Sequence, residues 1–345
     1  MRYRPGVMNA HRPFKKTFIL LLVSLVVFES SCAHVARVKF PPPPFKTPPE
    51  LIRYYNYSPY PGKPLIYPFH VQERYIEKRV IFRKVEDTTG NRSSLVIHYY
   101  EPKTNKKHPL ILITPILGKN YGIERSFASF FAKRGFACAI VYRKPLRFIP
   151  DEPLSVVEAY LRSSIIRLRI ALDWLCRQEK VDPNAIGTFG ISFGGMLNTV
   201  LAAVDSRPKC HLIALAGGEL AEVICYSHEK TIERYRNQFM KLSQLTPEEF
   251  REKLREAIIS EPVTFARYID TRKVYLFIAM FDLVIGKKHS RKLAKALGNP
   301  ETYYVPLGHY TSVLAIPFVR VKAANYFESH LKQDVYENTR HRVKD

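Results

Sequence analysis

Apolar and polar residues alternate in different ways along the chain, and each pattern predicts a different element. Residues 75–85 and 93–102 alternate one by one around a polar, turn-rich segment, so they predict an antiparallel β-hairpin. The runs at 109–116 and 136–142 are almost continuously apolar, which is typical of strands buried on both faces of a parallel sheet. Between these runs, residues 123–135 have the 3.6-residue periodicity of a helix. A hairpin followed by a strand–helix–strand unit therefore opens the globular part of the chain.

The same rhythm of strands and helices continues almost to the end of the sequence. A long helix is predicted at 155–178, followed by strands at 185–192, 211–219, 273–281 and 301–307 and helices at 194–204, 289–297 and 315–331. One insertion, residues 221–262, interrupts the rhythm with charged helical sequence. Together these elements predict an α/β fold. It has a mostly parallel central sheet with an N-terminal antiparallel hairpin, helices on both faces and a small helical cap.

The first 31 residues have the pattern of an export signal. A basic stretch precedes a twelve-residue, mostly apolar run at 17–28, which is too short for a comfortable membrane span and typical of a signal peptide. Small residues then lead to Cys32, and the whole resembles a bacterial lipoprotein signal, in which this cysteine is acylated. Glu29 departs from that pattern, because an aliphatic residue is usual there. An uncleaved signal anchor and ordinary secretory cleavage are the alternatives, and all three place the domain outside the cytoplasm. The lipoprotein interpretation predicts a periplasmic domain of the bacterial cell envelope that is anchored to a membrane.

Composition divides the rest of the chain into three parts. Residues 32–71 are rich in proline and tyrosine and predict an extended, polyproline-like tether, with wrapping around the domain as the alternative. Residues 72–331 contain the alternating strands and helices and form the predicted domain. Residues 332–345 form a charged C-terminal tail.

The chain is strongly basic, with 54 Lys and Arg residues against 31 Asp and Glu residues and a formal charge of +23. Such a charge attracts phosphate-rich surfaces. No basic stretch has the interleaved aromatic residues that single-stranded nucleic acid binding uses, so nucleic acid is disfavoured as a partner. Beside an anionic membrane surface such a charge favours close approach, whereas a solvated basic face without a partner is the alternative.

Three glycines surround one serine in the segment GTFGISFGGM. Ser192 lies between Gly190 and Gly194, with Gly195 directly behind, and the segment joins a predicted strand to a predicted helix. A serine in such a sharp turn has a strained backbone that exposes its hydroxyl, and the turn leaves no space for neighbouring side chains. The pattern predicts a nucleophile, whereas a plain tight turn is the alternative.

A serine hydroxyl needs a base and an acid, and both follow in the order that this arrangement requires. Asp282 comes directly after the strand at 273–281, and His309 follows the strand at 301–307. Since the carboxyl ends of parallel strands share one edge of the sheet, the three residues are expected to meet there. The alternatives are Asp270 or Glu219 as the acid, and His228, His289 or His330 as the base.

An oxyanion site needs two hydrogen-bond donors. The backbone N–H of Phe193, directly after the serine, is the first candidate. The second is expected from the loop after the strand at 109–116, where Ile116 is the first choice and Leu117 the next.

These residues resemble the α/β-hydrolase superfamily over residues 72–331. The short insertion and the segment ALDWL are similar to its dienelactone-hydrolase and acyl-esterase-like members. The resemblance implies a Ser192–His309–Asp282 triad and needs no cofactor and no metal. Two positions depart from the pattern: Thr114-Pro115 replaces a His-Gly pair, and Gly286 replaces a proline.

The sequence thus predicts a serine hydrolase that cleaves a small-molecule carboxylic ester through an acyl-enzyme. A transacylase or a peptidase on the same scaffold is the first alternative. A non-catalytic binding module of the cell envelope is the second.

Overall fold

The computed structural model describes residues 46–332, apart from 87–89, 91, 119 and 145–148. The predicted signal peptide, Cys32, the first part of the predicted tether and nearly all of the C-terminal tail lie outside the described residues. Among the described residues, no helix is both long and apolar enough to cross a membrane.

One sheet runs through the domain, and nine strands are described in it. They are β1 Leu65–Val71, β2 Tyr75–Glu86, β3 Arg92–Pro102, β4 His108–Thr114, β5 Ala137–Tyr142, β6 Val181–Ile191, β7 Cys210–Ala214, β8 Val274–Ala279 and β9 Glu301–Val305. Their order is β1-β2-β3-β5-β4-β6-β7-β8-β9. β1, β2 and β3 pair antiparallel, as β3 does with β5, and the six strands from β4 to β9 are parallel. The mostly parallel sheet with an antiparallel N-terminal part is therefore confirmed.

Ten α-helices are described around the sheet. They are α1 Pro49–Tyr54, α2 Gly122–Lys133, α3 Ser155–Leu175, α4 Phe193–Val204, α5 Leu220–Tyr226, α6 Lys230–Ser243, α7 Pro247–Ala257, α8 Pro262–Ala266, α9 Lys287–Ala296 and α10 Ile316–Leu331. Four of them, α5 to α8, lie between β7 and β8, where the sequence predicted the charged insertion. Two short 3₁₀ turns, Thr271–Lys273 and Thr311–Ala315, complete the secondary structure of the described residues.

Side chains that alternate along β4 explain why helices cover both faces of the sheet. Leu110 and Leu112 belong to one buried cluster, which they share with apolar residues of α3 and α4. Ile111 and Ile113 belong to the other, which contains residues of α2 and α10. Because successive strand residues point to opposite faces, a strand that is apolar throughout needs a helix layer on each side.

The prediction of an extended tether is wrong for residues 46–71, the part of it that the structure describes. Residues 49–54 form α1, and residues 65–71 form β1, which adds a third antiparallel strand to the predicted hairpin. Tyr55 is completely buried, and its hydroxyl lies 2.7 Å from Oγ of Ser260. A tyrosine ring buries a large apolar area when its hydroxyl also finds a partner, so this segment wraps the domain. We call residues 46–57 the strap.

Candidate active site

Ser192 lies at the sharp turn between β6 and α4. Its backbone has φ 53° and ψ −121°, a combination that costs energy for any residue except glycine. A Cβ atom on Gly190 would lie 2.3 Å from the carbonyl oxygen of Gly194, and one on Gly194 would lie 2.1 Å from that of Thr114. Backbone crowding on both sides of the serine therefore explains the two glycines that the sequence placed there.

Three loops at the carboxyl edge of the sheet bring Ser192, His309 and Asp282 together. Oγ of Ser192 lies 2.9 Å from Nε2 of His309, and Nδ1 of His309 lies 2.7 Å from Oδ2 of Asp282. The other oxygen of Asp282 accepts hydrogen bonds of 2.9 Å from the N–H groups of Val284 and Ile285. The carboxylate is thus buried and held by its own loop, and it orients the imidazole toward the serine.

The alternative acids bind other residues. Glu219 accepts a hydrogen bond from Nδ1 of His289 at 2.8 Å and also pairs with Lys292. Asp270 pairs with Arg272 at 2.8 Å. Neither of them is the hydrogen-bond partner of His309.

The prediction that the N–H of Ile116 is the second oxyanion donor is wrong. Its N–H donates a hydrogen bond of 2.8 Å to Oε1 of Glu124, a carboxylate on α2 that is completely buried. The N–H groups of Phe193 and Leu117 have no protein acceptor among the described residues. Leu117, the second choice from the sequence, is therefore the available donor in this loop.

Arg143, which follows β5, holds the same loop from its other side. Its Nε donates to the carbonyl oxygen of Ile116 at 2.9 Å, and its Nη2 donates to that of Gly118. Burial raises the pKa of Glu124, while the hydrogen bond from Ile116 opposes that rise. The loop is thus fixed through Ile116 and Gly118, on either side of Leu117. Glu124 was missed in the sequence, although a carboxylate on the apolar face of a helix was the available signal.

A cavity of about 220 Å³ adjoins Ser192 and His309. Its walls are almost entirely apolar. Phe127, Phe189 and Phe277 come from the sheet and α2, whereas Val223, Ile224 and Ile232 come from α5 and α6. An apolar group of a ligand would therefore be held between the sheet edge and the inserted helices, next to the serine.

The order of the strands, the helices around the sheet and the strained turn at Ser192 define the α/β-hydrolase fold. Among solved structures, the chain is similar to an acetyl xylan esterase from Paenibacillus sp. R4, at 17% identity and a TM-score of 0.65, covering 85% of this chain and 98% of that one. It is also similar to acetyl xylan esterase 1 from Thermoanaerobacterium sp. JW/SL YS485, at 17% identity and a TM-score of 0.55, covering 82% and 96%. A third is an acylaminoacyl peptidase from Pyrococcus horikoshii, at 17% identity and a TM-score of 0.54, covering 79% and 51%.

Similarity in sequence is more limited. No family model matches the chain. An uncharacterized 31.7 kDa protein from the traX-finO intergenic region of Escherichia coli is 30% identical over 123 residues, which cover 35% of this chain. The match spans 42% of that relative's length.

Proposed function

We propose that the protein is a serine hydrolase that cleaves a carboxylic ester with Ser192 as nucleophile, His309 as base and Asp282 as the orienting acid. The observation that carries the proposal is the unbroken hydrogen-bond chain from Oγ of Ser192 to Oδ2 of Asp282, at 2.9 and 2.7 Å. It starts at a serine whose strained turn exposes the hydroxyl.

The geometry supports a two-step acyl transfer. Nε2 of His309 accepts the hydroxyl proton while Oγ of Ser192 attacks the ester carbonyl carbon, and the N–H groups of Phe193 and Leu117 stabilise the negative charge on the carbonyl oxygen. His309 then donates its proton to the leaving alcohol, which leaves an acyl-enzyme. Water, deprotonated by His309, attacks the acyl carbon, and the proton returns to Ser192 as the carboxylic acid leaves.

The cavity favours a small-molecule ester with an apolar acyl or alcohol group, because its walls offer few polar partners. The two acetyl xylan esterases among the similar structures support an ester as the substrate. The acylaminoacyl peptidase keeps a peptidase as the second candidate. The signal-like residues 1–31 and Cys32 support an exported, membrane-anchored enzyme.

A fluorophosphonate probe tests the machinery without knowledge of the natural substrate. We expect a covalent adduct on Ser192, located by peptide mass, which His309→Ala abolishes. The matched control is His289→Ala, because His289 also pairs with a carboxylate through Nδ1. Labelling that His289→Ala abolished and His309→Ala retained would contradict the assignment. A folded protein without any labelling would favour the binding module.

The product that forms distinguishes ester hydrolysis from acyl transfer to an alcohol. With a p-nitrophenyl ester and a high concentration of added alcohol, a hydrolase releases mainly the free acid, whereas a transacylase forms the new ester. A peptidase would instead cleave the corresponding anilide at a comparable rate.

A further inference from the structure

Large apolar side chains are exposed around the opening of the active-site cavity. Nine such side chains are at least 50% exposed in the described part of the chain, and three of them, Tyr67, Val71 and Leu242, belong to β1 and α6. The other six, which we call the rim, are Tyr226, Phe281, Leu283, Tyr310, Val313 and Leu314. Leu283, at 79%, is the most exposed of the nine.

The rim is one surface, because the segments that carry it are tied together. The N–H of Phe281 donates to the carbonyl oxygen of Leu307 at 3.1 Å, which joins the loop after β8 to the loop after β9. Oγ of Ser227, next to Tyr226, donates to the carbonyl oxygen of Val284 at 3.2 Å. Tyr310 and Val313 also line the cavity itself. Through these two residues the rim adjoins the apolar walls beside Ser192.

Positive charge flanks the rim. α9 begins four residues after Leu283 and has five basic residues and no acidic one over its length. Lys287 and Lys288, in its first turn, have no ion-pair partner among the described residues. Among the acidic groups of this region, Glu229 in the cavity wall caps α6, Glu222 pairs with Arg251 and Arg255, and Asp282 binds His309. The exposed apolar groups of the rim thus have two lysines without ion-pair partners beside them, and Lys287 lines the same pocket as Leu283.

We propose that the rim docks on an anionic lipid surface. Exposed apolar side chains that enter the boundary between headgroups and acyl chains gain by leaving water, and lysines beside them gain by approaching lipid phosphates. The net charge of +23 also attracts the whole chain to an anionic surface over a longer range. A protein partner would also fit an apolar patch, but the lysines beside the rim match the phosphates that an anionic lipid surface presents at every point.

Docking by the rim deepens the proposed function, on which this step rests. The opening beside Ser192 would face the lipid, so an ester with an apolar acyl chain could enter the cavity without crossing water. The substrate class that follows is an acyl ester that partitions into a lipid surface.

The test uses the full chain with Ser192→Ala, so that no substrate is consumed, and a tryptophan at one of two positions. Leu283→Trp places it on the rim, and Val71→Trp places it on β1, at a residue that is 65% exposed. Trp174, the single native tryptophan, is 8% exposed and gives both variants the same background. Vesicles of phosphatidylcholine and phosphatidylglycerol with brominated acyl chains quench a tryptophan that enters them.

We expect quenching of Leu283→Trp and not of Val71→Trp, even if the N-terminal segment holds the chain on the vesicle. Adding Lys287→Gln and Lys288→Gln should lower the docked-to-undocked ratio, read from the quenched fraction, by about fivefold for each lysine. Equal quenching at both positions, or none at position 283, would overturn the proposal, and a protein partner would then be the occupant to test. Fluorophosphonate labelling of the protein with its native Ser192, measured separately, shows whether the proposed function fails as well.

Discussion

At the scale of single residues, the turn around Ser192 requires two positions without a side chain. Gly190 and Gly194 each face backbone atoms that cannot move aside, so any side chain there would displace the strand, the helix or the loop after β4. The loop after β4 is also the one that presents Leu117. One glycine therefore fixes both the turn at Ser192 and the loop that contains Leu117.

Gly194→Ala is expected to destabilise the protein by at least about 3 kcal/mol and to abolish fluorophosphonate labelling, because its Cβ would lie 2.1 Å from a backbone oxygen. Gly135→Ala is the matched control. Gly135 has φ +86° and open space around it, so alanine there costs only about 1–2 kcal/mol of backbone strain. Urea unfolding of both variants checks the difference. Equal losses of stability would show that crowding is not the reason for Gly194.

His211 makes stability depend on pH. It is buried on β7, where desolvation lowers its pKa to about 3, well below the ordinary value near 6.5. The unfolded chain therefore binds a proton at this histidine below pH 6.5 that the folded chain does not bind. The stability that neutral His211 contributes is complete above that pH and is lost as the pH falls toward 3.

We expect the unfolding free energy of the wild type to fall by about 2 kcal/mol more between pH 7 and pH 5 than that of His211→Gln. The comparison removes the contributions of carboxylates, since these are common to both proteins. His330→Gln, at an exposed position of α10, is the control. If His211→Gln showed the same pH dependence as the wild type, the imidazole would not be held neutral by burial.

At the scale of elements, apolar periodicity predicted most of the sheet but not its first strand. β4 and β5 are apolar throughout because both faces are covered, and this pattern identifies parallel strands directly. β1 is almost entirely exposed and contains Pro68, and it shows no alternation of buried and exposed positions, so the prediction of a proline-rich tether extends over it. α1 has six residues, too few to form alone. It is tied to α3 by the hydrogen bonds of Tyr54 with Glu158 and Arg162, which are distant in sequence.

In the candidate site, too, local sequence patterns predicted some residues, whereas others depend on contacts between distant elements. Ser192, Asp282 and His309 follow from local patterns, since each lies in the turn or loop that follows a strand. The second donor could not be chosen in this way, because the choice between Ile116 and Leu117 depends on Glu124 and Arg143, which belong to other elements.

Arg143→Gln is expected to lower kcat by about 10- to 100-fold with little change in KM. It removes the hydrogen bonds to Ile116 and Gly118, so the N–H of Leu117 is held less firmly where charge develops in the transition state. The kinetics of a p-nitrophenyl ester check this split. Arg134→Gln, which removes a pair with Glu328 on the surface, is the control. A higher KM at unchanged kcat would mean that Arg143 acts on substrate binding instead.

At the scale of the whole molecule, the strap connects parts that are far apart in sequence. Tyr54 and Ser260 both donate hydrogen bonds to Glu158 of α3, at 3.0 and 2.7 Å, and Tyr55 contacts the same serine. Ser260 follows α7, where the inserted helices return to the domain. The strap, α3 and the end of the insertion therefore share one buried polar cluster.

Tyr55→Phe is expected to lower the free energy of unfolding by about 1–2 kcal/mol, because it leaves Oγ of Ser260 with one partner fewer in a buried position. Combined with Ser260→Ala, the loss should be smaller than the sum of the two single losses, as for residues in contact. Urea unfolding of the three variants measures the coupling. Tyr67→Phe, at a half-exposed position of β1, should have no effect. Strictly additive losses would contradict the shared cluster.

The strap also decides how the domain carries mechanical load. Tension applied on the N-terminal side of residue 46 enters the fold at Thr47, whose hydroxyl donates to the carbonyl oxygen of Ala203, and then reaches Tyr54 and Tyr55. These contacts lie outside the sheet, so they rupture before any strand is pulled out. Peeling the strap would remove one support from Ser260, and a sustained pull would loosen the end of the inserted helices while the sheet that holds Ser192 stayed intact.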